Sequence, residues 1–149
     1  VDFDMGRQRF AYYDKDSARY QYTPGVNTQG NRGNMYRNDG ADISISNGKV
    51  YVSDIETGEW LQYTVTVSKA GKYSVSFLTA TDKDNSSLSL QQNKKTIIKE
   101  LKLPVTGDMQ NFQSSASTTV SLKKGTTVFR VLAAKGGFNF SAIQFTKTK

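Results

Sequence analysis

The chain has 149 residues, a formal net charge of +7 at pH 7, 36% hydrophobic and 22% charged residues, and neither cysteine nor histidine. That length suits a single domain with one core, running from residue 1 to 149, and the composition is that of a folding protein rather than a disordered polymer. Without Cys or His there is no disulfide framework, thiol nucleophile, Cys/His zinc site or imidazole base, which excludes most hydrolase and metalloenzyme mechanisms. The longest apolar runs, such as 129–134, fall far short of the roughly 20 residues of a membrane-spanning helix, so no membrane insertion is expected.

The opening Val1-Asp2-Phe3-Asp4 has neither a basic leader nor an apolar signal segment and reads as a mature chain or an excised domain. From 14 to 40, Gly, Asn, Asp, Arg and Tyr dominate and apolar alternation is nearly absent. This predicts a long ordered surface loop packed by Tyr20, Tyr22 and Tyr36. From Asp42 onward two-residue alternation prevails, and no stretch shows sustained helical spacing. The clearest strand is 59–68, where Leu61, Tyr63, Val65 and Val67 face one way and Gln62, Thr64 and Thr66 the other. A turn at 69–71 leads to a second strand at 73–80, and the two are expected to pair as an antiparallel hairpin. Beyond the polar loop 82–86, further strands are expected at 88–91, 96–103, 118–122, 127–133 and 138–145, with turn signals about every ten to twelve residues. The predicted fold is all-β, a sandwich or jelly roll of two antiparallel sheets.

Charge is uneven along the chain, about −2 through Ser68 and about +9 from Lys69 onward. The excess lysines sit singly or in pairs beside turns, as in Lys69-Ala70-Gly71-Lys72, Asn93-Lys94-Lys95 and Lys123-Lys124-Gly125. A nucleic-acid binder needs a continuous phosphate-neutralising track with interleaved aromatics. Dispersed lysines read instead as guards of turns and strand edges, so no nucleic-acid partner is expected.

Five segments in order resemble one family. They are Asp2-Phe3-Asp4-x-Gly6 followed by Ala11-Tyr12-x-Asp14; Tyr36-Arg37-x-Asp39-Gly40-x-Asp42-Ile43; Ile55-x-x-Gly58-Glu59-Trp60-Leu61-x-Tyr63-Thr64-Val65-x-Val67-x-x-Ala70-Gly71-x-Tyr73; Pro104-x-Thr106-Gly107-x-x-Gln110; and Gly136-Gly137-Phe138-Asn139-Phe140. Together they are similar to the family 6 carbohydrate-binding modules, β-jelly-roll domains attached to polysaccharide-degrading enzymes. The resemblance implies a glycan site at the loop end of the sandwich, where two aromatic rings clamp a sugar and an Asn bonds its hydroxyls. Flat rings suit the apolar C–H faces of a pyranose, and amides and carboxylates fix its hydroxyls.

Carried onto this sequence, the first ring position falls on Asp54 and the second on Met109, while the Asn is kept as Asn139 and the second polar position of that motif is Ser141. The site is therefore altered, with Tyr36 or Tyr51 as substitute rings and Asp54, Asp108 and Gln110 as polar contacts. The candidate ligand-binding set is Tyr36, Tyr51, Asp54, Met109, Gln110 and Asn139. Family members often hold one structural Ca2+, and the ligands the resemblance implies here are Asp2 and Asp4 with backbone carbonyls. Val1 stands where the family usually has Glu, and Ser141 and the lysine-rich tail supply no late carboxylate.

Trp60, the only tryptophan, is read as a buried structural residue rather than a sugar platform. Glu56 and Glu59 do not read as a glycosidase pair, because three positions apart in an extended strand they point to opposite faces about 10 Å apart. Asp14-x-Asp16 and Asp82-x-Asp84-Asn85 read as acidic turns. Arg37 has two readings: a tie between the long loop and the sandwich through a carboxylate such as Asp39 or Asp42, or a contact to an acidic or sulfated sugar. No catalytic residue is assigned. The expected function is a non-catalytic module that targets a covalently linked glycoside hydrolase to a cell-wall polysaccharide such as a β-glucan or xylan. The alternative is a structural module that has lost its glycan site and packs on the catalytic domain. A monomer is expected, in a bacterial secreted, periplasmic or cell-surface setting.

Overall fold

Alternation of apolar and polar side chains builds β1 (Tyr12–Tyr13), β2 (Ile43–Ser46), β3 (Lys49–Ile55), β4 (Trp60–Val67), β5 (Gly71–Ala80), β6 (Ser87–Gln92), β7 (Lys95–Lys102), β8 (Gln113–Ser114), β9 (Thr118–Leu122), β10 (Gly125–Lys135) and β11 (Phe138–Lys147). The structure is a computed structural model that describes residues 1–15, 36–37 and 40–148. One sheet has the order β1-β4-β10-β6-β7, the other β2-β3-β11-β5-β8, with β9 also pairing with β5. All pairings between these strands are antiparallel, and no helix occurs among the described residues. The fold is the jelly-roll sandwich that alternation predicted.

The core lies between the sheets because each strand turns one apolar row inward. Leu61 and Val67 of β4 and Phe129, Val131 and Ala133 of β10 face Val75 and Phe77 of β5 and Phe138 and Phe140 of β11, all buried. Tyr63 joins this row, its ring half-buried and its hydroxyl buried without a hydrogen-bond partner among the described residues. Burial pushes its phenol pKa well above the ordinary value.

The expected hairpin between 59–68 and 73–80 does not form. Both strands exist, as β4 and β5, but they belong to opposite sheets: β4 pairs with β1 and β10, β5 with β11, β8 and β9. The turn at 68–70 carries the chain across the core, and two half-apolar strands bury their rows equally well by facing each other as by pairing side by side. The sequence singles out no strand in 43–55, yet β2 and β3 form a true hairpin there through Asn47-Gly48, whose φ values of 50° and 73° match the twist-compatible two-residue turn. Tyr20, Tyr22 and most of the expected loop at 14–40 lie outside the described residues.

Strand direction sorts the connections into two ends. The segments 56–59, 81–86, 103–112 and 136–137 lie at the loop end, and the turns 68–70, 93–94 and 123–124 lie at the opposite, turn end, while the turn 47–48 falls partway along the longer strands β5 and β11.

Candidate functional site

At the loop end the structure brings together Tyr51, Asp54, Met109, Gln110 and Asn139. Two residues of β3, Ser53 and Asp54, stand opposite Asn139 where the β3–β11 register slips between Phe138 and Phe140. This bulge puts Asp54 in the left-handed region at φ 53°. Asn139 is 4% exposed and holds the bulge: its Oδ1 accepts the Asp54 backbone N–H at 2.9 Å, and its Nδ2 donates to the Met109 carbonyl at 2.6 Å. The 106–112 segment thereby folds over the outer side of β2 and β3. There Gln110 Oε1 accepts the Ser46 hydroxyl at 2.6 Å, and Phe112 covers Tyr51 with ring centroids 5.1 Å apart. Tyr51 is 5% exposed. These residues are engaged with one another and with their neighbours, and the surface they leave open is the exposed side chains of Asp54 and Gln110.

Tyr36 is elsewhere. Its ring is exposed and its hydroxyl donates to Asp2, a bond that raises the phenol pKa. Arg37 beside it donates to the carbonyls of Val1, Phe3 and Asp4 at 3.1, 2.7 and 3.0 Å and stacks 3.5 Å from the Phe3 ring centre. These bonds tie Arg37 to backbone carbonyls of the amino-terminal segment; Asp39, one of the expected carboxylates, lies outside the described residues.

Asp2 and Asp4, the calcium ligands the resemblance implies, lie on the same segment. Asp4 accepts the Thr64 backbone N–H at 2.6 Å, the Thr64 hydroxyl at 2.7 Å and Gln62 Nε2 at 3.1 Å, which pins the segment to β4. Asp2 accepts from Tyr36, and among the described residues no group of three acidic side chains is placed to share an ion.

Glu59 is buried, accepting the Lys15 backbone N–H through Oε1 and the Glu56 backbone N–H through Oε2, each at 2.9 Å. Both oxygens hold backbone, so this carboxylate organises the turn before β4.

Trp60 departs from expectation. It is half-buried on the outer face of its sheet, with the Arg130 guanidinium 3.6 Å from its ring centre. The alternation that sends Leu61 inward sends Trp60 outward with Gln62, and the register sets Arg130 of β10 opposite Gln62. Arg130 donates to Gln62 Oε1 at 2.9 Å, and Gln62 in turn donates to Asp4. Burial lowers the Arg130 pKa from its ordinary value, which still leaves a cation at neutral pH.

Beside this stack opens a groove of about 320 Å³ lined by Gln62, Asn93, Lys94, Val128 and Arg130. Asn93 Oδ1 accepts the Val128 backbone N–H at 3.1 Å and seats the β6–β7 turn against β10. The groove offers an apolar floor and several nitrogen donors, the combination that recognises a sugar's C–H face and hydroxyls. None of its members was a sequence candidate. The available signal was Arg130 itself, a charge at an outward position inside the apolar run 128–132.

The description "Carbohydrate binding module (family 6)" belongs to a family model that matches residues 34–147. Among solved structures, the chain is similar to the C-terminal CBM6 of LamC, a marine laminarinase from Zobellia galactanivorans, at 30% identity and a TM-score of 0.64, covering 71% of this chain and 89% of that one. It is also similar to the module CBM6cm-2 from Cellvibrio mixtus lichenase 5A in complex with cellotriose, at 25% identity and TM-score 0.63, covering 73% and 86%. A family 35 module from Clostridium thermocellum shares the fold at 20% identity and TM-score 0.62, over 72% and 88% of the two chains. Among curated proteins no sequence relative matches. With the jelly roll, the five motifs and the family match in agreement, the chain belongs to family 6 of the carbohydrate-binding modules.

Proposed function

We propose that this module holds a cell-wall polysaccharide, a β-glucan or xylan, in the groove on the outer face of the β4–β10 sheet and so keeps an appended glycoside hydrolase near its substrate outside the cell. Tethering raises effective substrate concentration without chemistry of its own. One observation carries the reading: the groove is open and lined by unlike polar groups over an apolar floor, whereas the loop-end residues are engaged with one another. A β-glucan is the first polymer to test, since one relative is the module of a laminarinase and another was solved with cellotriose.

Lys94 adds a second sign of use. The β2–β3 and β6–β7 turns are both two-residue connections with positive φ, and where the first has Gly48, the second has Lys94 at φ 68°. A side chain in that conformation costs about 1 kcal/mol that glycine avoids. Holding a cation there at that cost is what a ligand contact explains.

Affinity electrophoresis against β-glucans, xylan, mannan and agarose tests the reading. Retardation is expected with at least one polymer. Arg130→Ala should weaken it about tenfold, the scale of one lost hydrogen bond from a charged donor. Lys94→Gly should weaken binding while keeping or raising stability by up to about 1 kcal/mol. Gln110→Ala at the loop end should leave retardation unchanged. The mutual engagement of the loop-end residues favours a second reading, a structural module without a glycan site, and absence of retardation by every polymer would select it.

A further inference from the structure

The lysine-rich turns of the sequence emerge at one end of the fold. Gly125 lies opposite Val67 and Leu122 opposite Gly71, so the β4–β5 turn with Lys69 and Lys72 sits against the β9–β10 turn with Lys123 and Lys124. The β6–β7 turn with Lys94 and Lys95 joins them, its Asn93 backbone N–H bonded to the Val128 carbonyl at 2.8 Å. Lys147, opposite Tyr73, belongs to the same end, and every one of these lysines is exposed. Among the described residues the acid nearest that end is Asp4, whose two oxygens are held by Thr64, opposite Val128, and by Gln62. The acids sit at the loop end, as Asp54, Glu56, Asp82 and Asp108 do, or along the amino-terminal segment.

Three lysines toward the loop end are paired: Lys15 with Glu56 at 3.3 Å, Lys83 with Asp82 at 3.3 Å and Lys135 with Glu100 at 3.6 Å. None of those at the turn end forms an ion pair among the described residues. Guarding turns and edges against aggregation is needed at both ends of a sandwich and does not explain why one end is left uncompensated. Clustered like charge repels itself, and an anionic partner relieves that repulsion.

We propose that the turn end docks an acidic polysaccharide, one bearing carboxylate or sulfate groups, on a surface that adjoins the groove; this rests on the polysaccharide-binding reading above. Lys94 belongs to both surfaces, a lining residue of the groove and a member of the lysine end. Lysine heads spread over turns from both sheets suit a flexible, diffusely charged chain better than a planar bidentate target. A single-stranded nucleic acid would call for stacking rings, and the exposed aromatics of the described chain, Phe10 and Tyr36, lie on or beside the amino-terminal segment instead.

Matched polymers test it: de-esterified against fully methyl-esterified homogalacturonan for carboxylate, and κ-carrageenan against agarose for sulfate, each at low and high salt. The acidic member is expected to bind at least about tenfold tighter at 50 mM salt, with the advantage shrinking at 300 mM as the charges are screened. A triple variant, Lys69→Gln, Lys123→Gln and Lys124→Gln, should weaken acidic binding about tenfold and leave any neutral binding unchanged. The triple Lys83→Gln, Lys99→Gln and Lys102→Gln, which makes the same change in net charge elsewhere, should cost about twofold or less. Equal losses in the two triples would overturn the proposal in favour of net charge alone. Equal affinity for acidic and neutral members would overturn it while leaving the groove reading intact. Binding of no polysaccharide at all would remove the groove reading and this one together. Single-stranded DNA of similar charge density binding as tightly as the acidic polymers would overturn the assignment to a glycan.

Discussion

Replacing Gly136 with alanine is expected to destabilise the fold by about 3 kcal/mol, a fall in Tm of about 10 °C for a domain of this size. The cause is proximity, because Gly136 is not in a left-handed conformation. A Cβ there would stand 2.5 Å from both the Glu56 carbonyl carbon and the Thr57 nitrogen, and 2.6 Å from the Glu56 Cα. All three are backbone atoms, so no rotamer change makes room. Nor can the turn simply open. Gly136 N–H donates to Thr57 Oγ1 at 2.9 Å, Gly137 N–H to the Ile55 carbonyl at 2.7 Å, Gly58 N–H to the Ala133 carbonyl at 2.8 Å, and Ser86 Oγ to the Gly136 carbonyl at 2.9 Å. Gly48→Ala is the comparison: φ is 73° but nothing lies within 4 Å of the added carbon, so only the left-handed strain of about 1 kcal/mol is lost. Thermal unfolding of the two variants side by side checks the claim, and equal losses would show that the close approach at Gly136 is absent in solution.

Asn139→Asp is expected to cost about 3 kcal/mol at pH 7, and its pH dependence identifies the reason. A carboxylate can still accept the Asp54 N–H, but it has no proton for the Met109 carbonyl, which Asn139 Nδ2 reaches at 2.6 Å, and it is charged at a position only 4% exposed. Both effects favour the neutral acid, so the introduced group's pKa in the folded state lies above its unfolded value of about 3.9. The unfolded chain then holds fewer protons than the folded one over the window between these pKa values. The penalty is full above the folded pKa and shrinks as pH falls toward about 4, where the protonated carboxyl can donate to Met109 as the amide did. Asn139→Ala, which leaves the Asp54 N–H and the Met109 carbonyl without this partner, should cost about 2 kcal/mol at either pH. Urea midpoints measured at pH 7 and pH 4.5 against the wild-type chain separate the two variants. A penalty for Asp that does not change with pH would mean the amide does not bridge the bulge to the 106–112 segment.

Both positions lie in Gly136-Gly137-Phe138-Asn139-Phe140, which is legible as a family motif. The family resemblance assigns Asn139 to a sugar, whereas in this chain its side-chain amide closes a β-bulge and anchors the loop that covers Tyr51. The same kind of reassignment meets Trp60. Alternation through Leu61, Tyr63 and Val65 already put Trp60 on the side of Gln62, but the general tendency of tryptophan to be buried pointed inward. Only the pairing of β4 with β10, which sets Arg130 opposite Gln62, shows what covers the ring.

What the sequence determined by itself was local and periodic: the main strands from residue 59 onward, the inward and outward sides of β4, the absence of imidazole and thiol chemistry, and the family. These follow from side-chain period and residue inventory, which do not depend on what the chain later meets. The partners of the strands, the closing of the loop end by its own side chains, the groove beside Arg130 and the gathering of scattered lysines at one end were decided by tertiary structure. Each depends on which strands lie side by side and in which direction, and because two half-apolar strands can bury their faces by pairing or by packing across the core, alternation alone leaves that choice open.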